Sequence, residues 1–112
     1  MIIRFAYTGQ EVIPDDATHV TVENITFVRA RAFYQHPNIV EVICHEDVEK
    51  IEIDAFLECP SLRRVIMRGV KVAEKHVFYR CRALTDVECG KPPGNGPLIP
   101  GRLTRGKREK ST

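Results

Sequence analysis

The feature that most constrains the fold is a repeat of 22 to 23 residues, anchored by Phe33, Phe56 and Phe78. Residues recur at fixed distances of three, six, nine and eleven positions after each phenylalanine. These columns are His36, Cys59 and Cys81; Ile39, Leu62 and Leu84; Val42, Val65 and Val87; and Cys44, Met67 and Cys89. So many matching columns in a chain of 112 residues indicate a repeat architecture in which similar units stack on one another.

Each unit combines one strand pattern with one turn pattern. Segments such as Val42-Ile43-Cys44 alternate, which predicts a short strand whose first and third residues point inward. The segment around each phenylalanine has apolar residues three and four positions apart, which favours a turn of α- or 3₁₀-helix on the opposite side. Stacking would bury each phenylalanine between its neighbours, at about 1.5–3 kcal/mol per side chain. The alternative is an ordinary helix–strand domain with accidental periodicity.

The second and third units, residues 55–67 and 77–89, resemble the BspA-type leucine-rich repeat, Ala-Phe-x-x-Cys-x-x-Leu-x-x-(Val/Ile)-x-(Leu/Ile). Over residues 20–90 the resemblance implies an α/β fold: a short leucine-rich-repeat solenoid of about three units, with a parallel concave sheet and helical or 3₁₀ turns opposite. Proteins of this kind bind other macromolecules and are generally not enzymes. His36, Met67 and Val77 depart from the pattern, at a Cys, a Leu or Ile, and an Ala position.

Charge and proline divide the chain into three predicted parts. Residues 1–19 are expected to form an incomplete leading repeat that caps the solenoid of residues 20–90. Residues 91–112 carry six basic residues against one acidic residue and four of the seven prolines, whereas residues 1–90 have eleven basic and fourteen acidic residues. Such a segment buries too little apolar area to offset ordering, so we predict a disordered basic tail. It is either a solubilising terminus or a binding segment for nucleic acid, an acidic protein or an anionic surface.

Stacking the strands in register aligns the outward residues in columns across the sheet. The columns are His19, Glu41, Arg64 and Asp86; Thr21, Ile43, Ile66 and Glu88; and Glu23, His45, Arg68 and Gly90. Neighbouring strands lie about 4.8 Å apart, so Arg64 should form a charge ladder with Glu41 and Asp86. Ile43 and Ile66, rimmed by charges, predict a docking patch, unless β-branched residues stand there only because strands favour them. The predicted partner-binding residues are Ile43, Ile66, Glu41, Arg64, Asp86, His45, Arg68 and Glu88.

Catalytic and metal-binding patterns are weak. The four cysteines, at positions 44, 59, 81 and 89, form no Cys-x₂-Cys pair, and His45-Glu46 lacks a second histidine four residues on. With only two serines, a Ser–His–acid arrangement has little support. The cysteines share repeat columns and are interpreted as small apolar core residues. Cys81, between two arginines, is the one candidate nucleophile. We therefore predict no catalytic residue, no metal site and no cofactor.

The sequence thus predicts a non-enzymatic module that binds a protein partner on its concave face. The competing hypothesis is structural: open repeat ends could stack end to end into a homo-oligomer or continue a larger repeat array. No run of 18 apolar residues is present, and residues 1–7 do not resemble a secretory signal. A cytoplasmic location without a membrane span is expected.

Overall fold

The computed structural model of the chain describes residues 1–90 and the backbone of Arg102 and Leu103. These residues form a parallel β-solenoid of about three turns with two sheets. The six-stranded sheet has the order β1 (Arg4–Tyr7), β2 (His19–Val22), β4 (Glu41–Cys44), β6 (Arg64–Met67), β8 (Asp86–Cys89) and β9 (Arg102–Leu103). The three-stranded sheet has the order β3 (Phe27–Val28), β5 (Lys50–Ile51) and β7 (Val72–Ala73). All pairs are parallel except β8–β9, which is antiparallel.

The coils of the solenoid coincide with the sequence repeats. We name them by their phenylalanines: coil one carries Phe33, coil two Phe56 and coil three Phe78, and the leading coil is residues 1–18. In the six-stranded sheet, Val42 is in register with Val65 and Val65 with Val87. All three valines are buried. The predicted strands and their register are therefore confirmed. Burial alternates as expected in β2, β4 and β8 but not in β6, where Ile66 is buried as well.

A stack of aromatic rings runs through the core. The rings of Phe33 and Phe56 lie 4.8 Å apart between centroids at an interplanar angle of 21°, and those of Phe56 and Phe78 lie 5.4 Å apart at 15°. At the front of the stack Tyr7 packs edge-on against Phe33 at 5.3 Å. The leading coil thus supplies a tyrosine where a fourth phenylalanine would stand.

The expectation of helical or 3₁₀ turns is wrong for the residues that the structure describes, which contain no helix. In coil one, alternate N–H groups donate to coil two instead of to their own segment. These bonds run from Arg31 N to Ile53 O (3.3 Å), from Phe33 N to Ala55 O (2.8 Å) and from Gln35 N to Leu57 O (2.9 Å). The N–H groups between them, those of Ala32, Tyr34 and His36, bond to the carbonyl three residues back. A helix would need every N–H for itself.

Six residues of these turns have left-handed backbone conformations, although none is glycine. They form two repeat columns: Arg31, Asp54 and His76, and Gln35, Glu58 and Arg80, all with φ between 55° and 61°. In coil one, residues 31 and 35 occupy the third position of hydrogen-bonded four-residue turns, where a type II turn requires a positive φ. Each such residue costs about 1–2 kcal/mol, which the bonds between coils must offset.

The three-stranded sheet was not anticipated. Its inward residues Val28 and Ile51 belong to the columns that were interpreted as helical, and both are fully buried. Its outward residues include Phe27 and Val72, which are exposed. Two-residue strands leave almost no alternation to detect, so spacings of three and four residues around them imitate a helix.

Replacing the central ring should weaken the whole stack. Phe56→Ala removes a fully buried side chain that contacts rings on both sides, so we expect the free energy of unfolding to fall by about 3–5 kcal/mol. Urea denaturation of the full chain measures this. Tyr79→Ala, at a side chain that is 49% exposed, is the control and should cost less than about 1 kcal/mol. Equal losses for the two variants would contradict a core that depends on the stack.

The left-handed turns make a prediction about glycine. His76 is exposed and has φ 59°, so His76→Gly removes steric strain and should keep or raise the free energy of unfolding, by up to about 1 kcal/mol. Its neighbour Lys75 is also exposed but does not have a positive φ, so Lys75→Gly should lower stability by about 0.5–1 kcal/mol. Thermal and urea unfolding compare the pair; the same loss in both would refute the strain argument.

Candidate partner-binding face

The outward side chains of the six-stranded sheet form one continuous surface, which we call the sheet face. Strand register aligns Glu41, Arg64 and Asp86 in one column. The same register aligns Ile43, Ile66 and Glu88 in the next column. Both columns are those expected from the sequence, because matching positions of the units fall in register and the connection between β4 and β6 absorbs its one extra residue.

An ion-pair network occupies one end of the sheet face. Arg64 lies between two acidic residues, with Nη1 3.4 Å from Glu41 Oε2 and Nε 3.5 Å from Asp86 Oδ2. Its Nη2 is also 3.9 Å from Glu88 Oε1, and Arg68 donates from Nε to Glu88 Oε2 at 3.0 Å. The predicted ladder is therefore present and extends to Arg68. Exposed pairs of this kind contribute about 0–1 kcal/mol each, so they set register and surface charge more than stability.

The two isoleucines of the sheet face differ in exposure. Ile43 is 40% exposed, whereas Ile66 is only 9% exposed. Arg64 and Arg68 stand two residues to either side of Ile66, and both reach Glu88, the residue in register with Ile66 on β8. Their side chains therefore border Ile66 on both sides. The exposed apolar area is therefore smaller than two fully exposed isoleucines would give, and Ile43 supplies most of it.

The remaining predicted residue, His45, lies outside this network. It follows β4 directly, and its Nδ1 is 3.5 Å from the carboxylate of Asp47 and accepts the Asp47 backbone N–H. At the other edge of the face, His19 Nε2 is 3.9 Å from Glu41 Oε1. The structure thus joins five predicted residues, Glu41, Arg64, Arg68, Asp86 and Glu88, in one cluster. It places Ile43 beside Ile66 in strand register, and it pairs His45 with Asp47 instead.

The cysteine column has a structural role that its apolar character did not reveal. The Cys59 thiol donates to Phe33 O and the Cys81 thiol to Phe56 O, each at 2.9 Å and each to the preceding coil. In coil one, His36 occupies the same column, and its Nε2 lies 2.8 Å from Pro14 O. The departure of His36 from the repeat pattern is therefore a substitution of one donor for another. The column shared by His36, Cys59 and Cys81 was the sequence signal for these hydrogen bonds, and it was interpreted only as core packing.

Burial makes these thiols poor nucleophiles. Cys81 is 2% exposed, so its neighbouring arginines do not place the sulfur at the surface. Burial raises the pKa of Cys44 to about 12 and that of Cys89 to about 11. The pKa of Cys59 is raised by its hydrogen bond with Cys81 and by burial. Since the thiolate is the reactive form, these environments oppose nucleophilic chemistry.

No group of three or more His, Cys, Asp or Glu side chains in the described part of the chain is arranged to hold a metal ion. Within that same part, no helix is long and apolar enough to cross a membrane. The predicted tail lies outside the described residues except for Arg102 and Leu103 of β9, so its disorder and its binding role stay predictions.

Comparison with known proteins identifies the repeat. A family model described as the BspA type leucine rich repeat region (6 copies) matches residues 16–92. The chain belongs to the BspA-type leucine-rich-repeat family. The match includes every strand from β2 to β8, and with them the aromatic stack and the sheet face. Among curated proteins and among solved structures, none matches the chain.

Membership of this family gives a general expectation for function. Leucine-rich-repeat proteins generally bind other proteins and are typically not enzymes. In this chain His36, Cys59 and Cys81 form hydrogen bonds between coils.

The thiols predict a dependence of stability on pH. Between pH 9 and 11 an unfolded chain loses thiol protons that the folded chain keeps at Cys44 and Cys89, because their pKa values are raised. Stability is therefore complete below about pH 9 and falls as pH rises through this range. At pH 10.5 the contribution of Cys44 should be about 1–2 kcal/mol lower than at pH 8.

Urea denaturation of wild type and Cys44→Ala at both pH values isolates this contribution, since every other ionisable group is the same in the two proteins. The variant should lose less stability between the two pH values. Parallel slopes for the two proteins would show that the Cys44 thiol ionises as easily in the folded state as in the unfolded state.

Proposed function

We propose that this leucine-rich-repeat protein is a non-enzymatic interaction module that binds a protein partner on its sheet face, with Ile43 at the centre of the contact. The observation that carries the proposal is the exposure of Ile43 on a strand that is otherwise well packed, next to a charged cluster. Apolar centres with polar rims are the usual anatomy of protein interfaces.

The charged residues contribute to recognition of a partner more than to the stability of the fold. Glu41, Arg64, Asp86 and Glu88 contact one another in an exposed network, in which each pair contributes little to stability. Charges arranged in this way favour partners with complementary charge and speed up association. Arg68, half-exposed beside Glu88, extends the network toward the end of β6.

Support for a module without catalytic activity comes from the chemistry of the core. The thiols are buried, and the raised pKa of Cys44 and of Cys89 keeps them protonated. Buried thiols used as hydrogen-bond donors also suit a reducing compartment, and we include a cytoplasmic location in the proposal.

The central prediction concerns Ile43. Ile43→Glu places a charge at the proposed centre of the contact without disturbing the core, so capture of the partner from the native cell should fall by about tenfold or more. The measurement is affinity capture on immobilised full-length chain, with the bound proteins quantified by mass spectrometry. A form lacking residues 91–112, tested in parallel, separates binding by the sheet face from binding by the tail.

The matched control is Val72→Glu, which places the same charge on the outward side of the other sheet. Val72 is 45% exposed, close to the 40% of Ile43. Capture that falls with Val72→Glu as much as with Ile43→Glu, or falls with neither, would contradict the proposed face. Capture that is lost only on deletion of the tail would move the function to residues 91–112.

A further inference from the structure

The leading coil is too short to cover the turns of coil one. Eleven residues join β1 to β2, whereas eighteen join β2 to β4, nineteen join β4 to β6 and eighteen join β6 to β8. The missing residues are those that would form a short strand beside β3 and a turn segment beside Phe33. The chain instead crosses directly to β2, held by the bond of His36 to Pro14 O and that of Asn38 Nδ2 to Asp15 O at 2.7 Å.

This shortcut leaves backbone groups of coil one with no partner among the described residues. In coils two and three, each equivalent group is bonded to the preceding coil. The bonded donors are the N–H groups of Glu49, Lys50, Glu52, Lys71, Val72 and Glu74, and the bonded acceptors are the carbonyls of Ile53, Ala55, Leu57, Lys75, Val77 and Tyr79. The equivalent donors in coil one are the N–H groups of Thr26, Phe27 and Arg29, and the acceptors are the carbonyls of Ala30, Ala32 and Tyr34; none of these six groups is bonded within the described chain.

Four of these groups, the N–H of Arg29 and the carbonyls of Ala30, Ala32 and Tyr34, belong to residues that line a notch of about 400 Å³. The N–H groups of Thr26 and Phe27 lie on the same edge of coil one, outside the notch. One wall is residues 29–37 of coil one, and the opposite wall contains Glu11, Val12 and Ile13 of the leading coil. Tyr7 also lines the notch, and its ring covers Phe33. Val12 is 89% exposed, so the notch is open to a ligand from outside.

The shape of this end limits what can bind there. The sheet half of the leading coil is already filled by β1, which pairs with β2, so a complete coil of a second molecule has no room beside coil one. A single extended strand does have room. Six backbone groups in a parallel-strand pattern have no hydrogen-bond partner there among the described residues. Open backbone groups on a strand edge of this kind gain from a partner strand.

We propose that the notch binds an extended peptide segment of a partner protein, which runs parallel to residues 26–35 and adds one strip to coil one. The peptide accepts hydrogen bonds from Thr26, Phe27 and Arg29 and donates to Ala30, Ala32 and Tyr34. It carries a small residue beside Tyr7, whose ring already covers Phe33.

The repeat itself supplies a probe with the correct register. A peptide with the sequence of residues 48–58 and the change Phe56→Ala, labelled with a fluorophore, has three alternating N–H donors. By analogy with the contact between coils one and two, the donors at positions 54, 56 and 58 reach the carbonyls of Ala30, Ala32 and Tyr34. Fluorescence anisotropy with the full-length chain should show saturable binding.

Two tests remove backbone donors, one on the protein and one on the peptide. Phe27→Pro deletes an N–H that bonds to nothing in the described chain, and proline is tolerated on such an open edge, so the fold should persist while affinity falls by about tenfold or more. Phe27→Val removes the same ring, keeps the N–H and should stay within about threefold of wild type. On the ligand side, a peptide N-methylated at positions 54, 56 and 58 should lose at least about tenfold, whatever the behaviour of the variants.

Failure to bind the probe overturns the proposal, as does equal binding of the N-methylated peptide. Equal affinity for Phe27→Pro and Phe27→Val, with both folded by circular dichroism, overturns it as well. Sedimentation of the full chain over a range of concentrations tests the remaining occupant: self-association that the peptide reverses and Phe27→Pro weakens would assign this end to a second copy and refute the site for a partner's peptide.

Discussion

The structure depends on the contact between one coil and the next. A phenylalanine ring in a single coil has no apolar surroundings; it becomes buried only when a ring of the same column lies about 5 Å away on each side. The same neighbour accepts alternate N–H groups of each turn and the thiol of each column cysteine. A fixed spacing of the columns within each unit is therefore a physical requirement, since one shifted column would break the ring stack, the turn bonds and the sheet at once. A connection between strands, by contrast, accommodates one extra residue.

The strand register also determines which residues are neighbours on the surface. Once Val42, Val65 and Val87 are in register inside, the residues between and beside them must be in register outside. Charges of opposite sign that are far apart in sequence then meet, as Glu41, Arg64 and Asp86 do. The outer face can vary without loss of the core, because each outward pair contributes little to stability. A fixed scaffold with a variable face suits recognition better than chemistry.

This dependence explains which parts of the molecule were predictable. The phenylalanine columns, the strands and the register of the outward columns of Glu41 and Ile43 follow from periodicity and agree with the structure. The turns do not, because their left-handed positions carry residues such as Arg31 and His76 rather than glycine, so no residue type marks them. The low exposure of Ile66 was equally hidden, since it arises from two arginines that both reach across to Glu88, a contact between coils.

Among the described residues, which form about three coils, only coil two has a complete neighbour on each side, so the ends form a large part of the described solenoid. On the sheet side β1 extends the first edge, and β9, being antiparallel, ends the parallel series at the other. On the turn side the leading coil provides no equivalent strand for coil one. Open backbone donors and acceptors cannot be satisfied by changing side chains; they need a strand or water. The sheet face and the leading end are thus distinct kinds of surface: the binding that we propose for the first depends on side chains such as Ile43, and the binding that we propose for the second depends on the backbone of coil one.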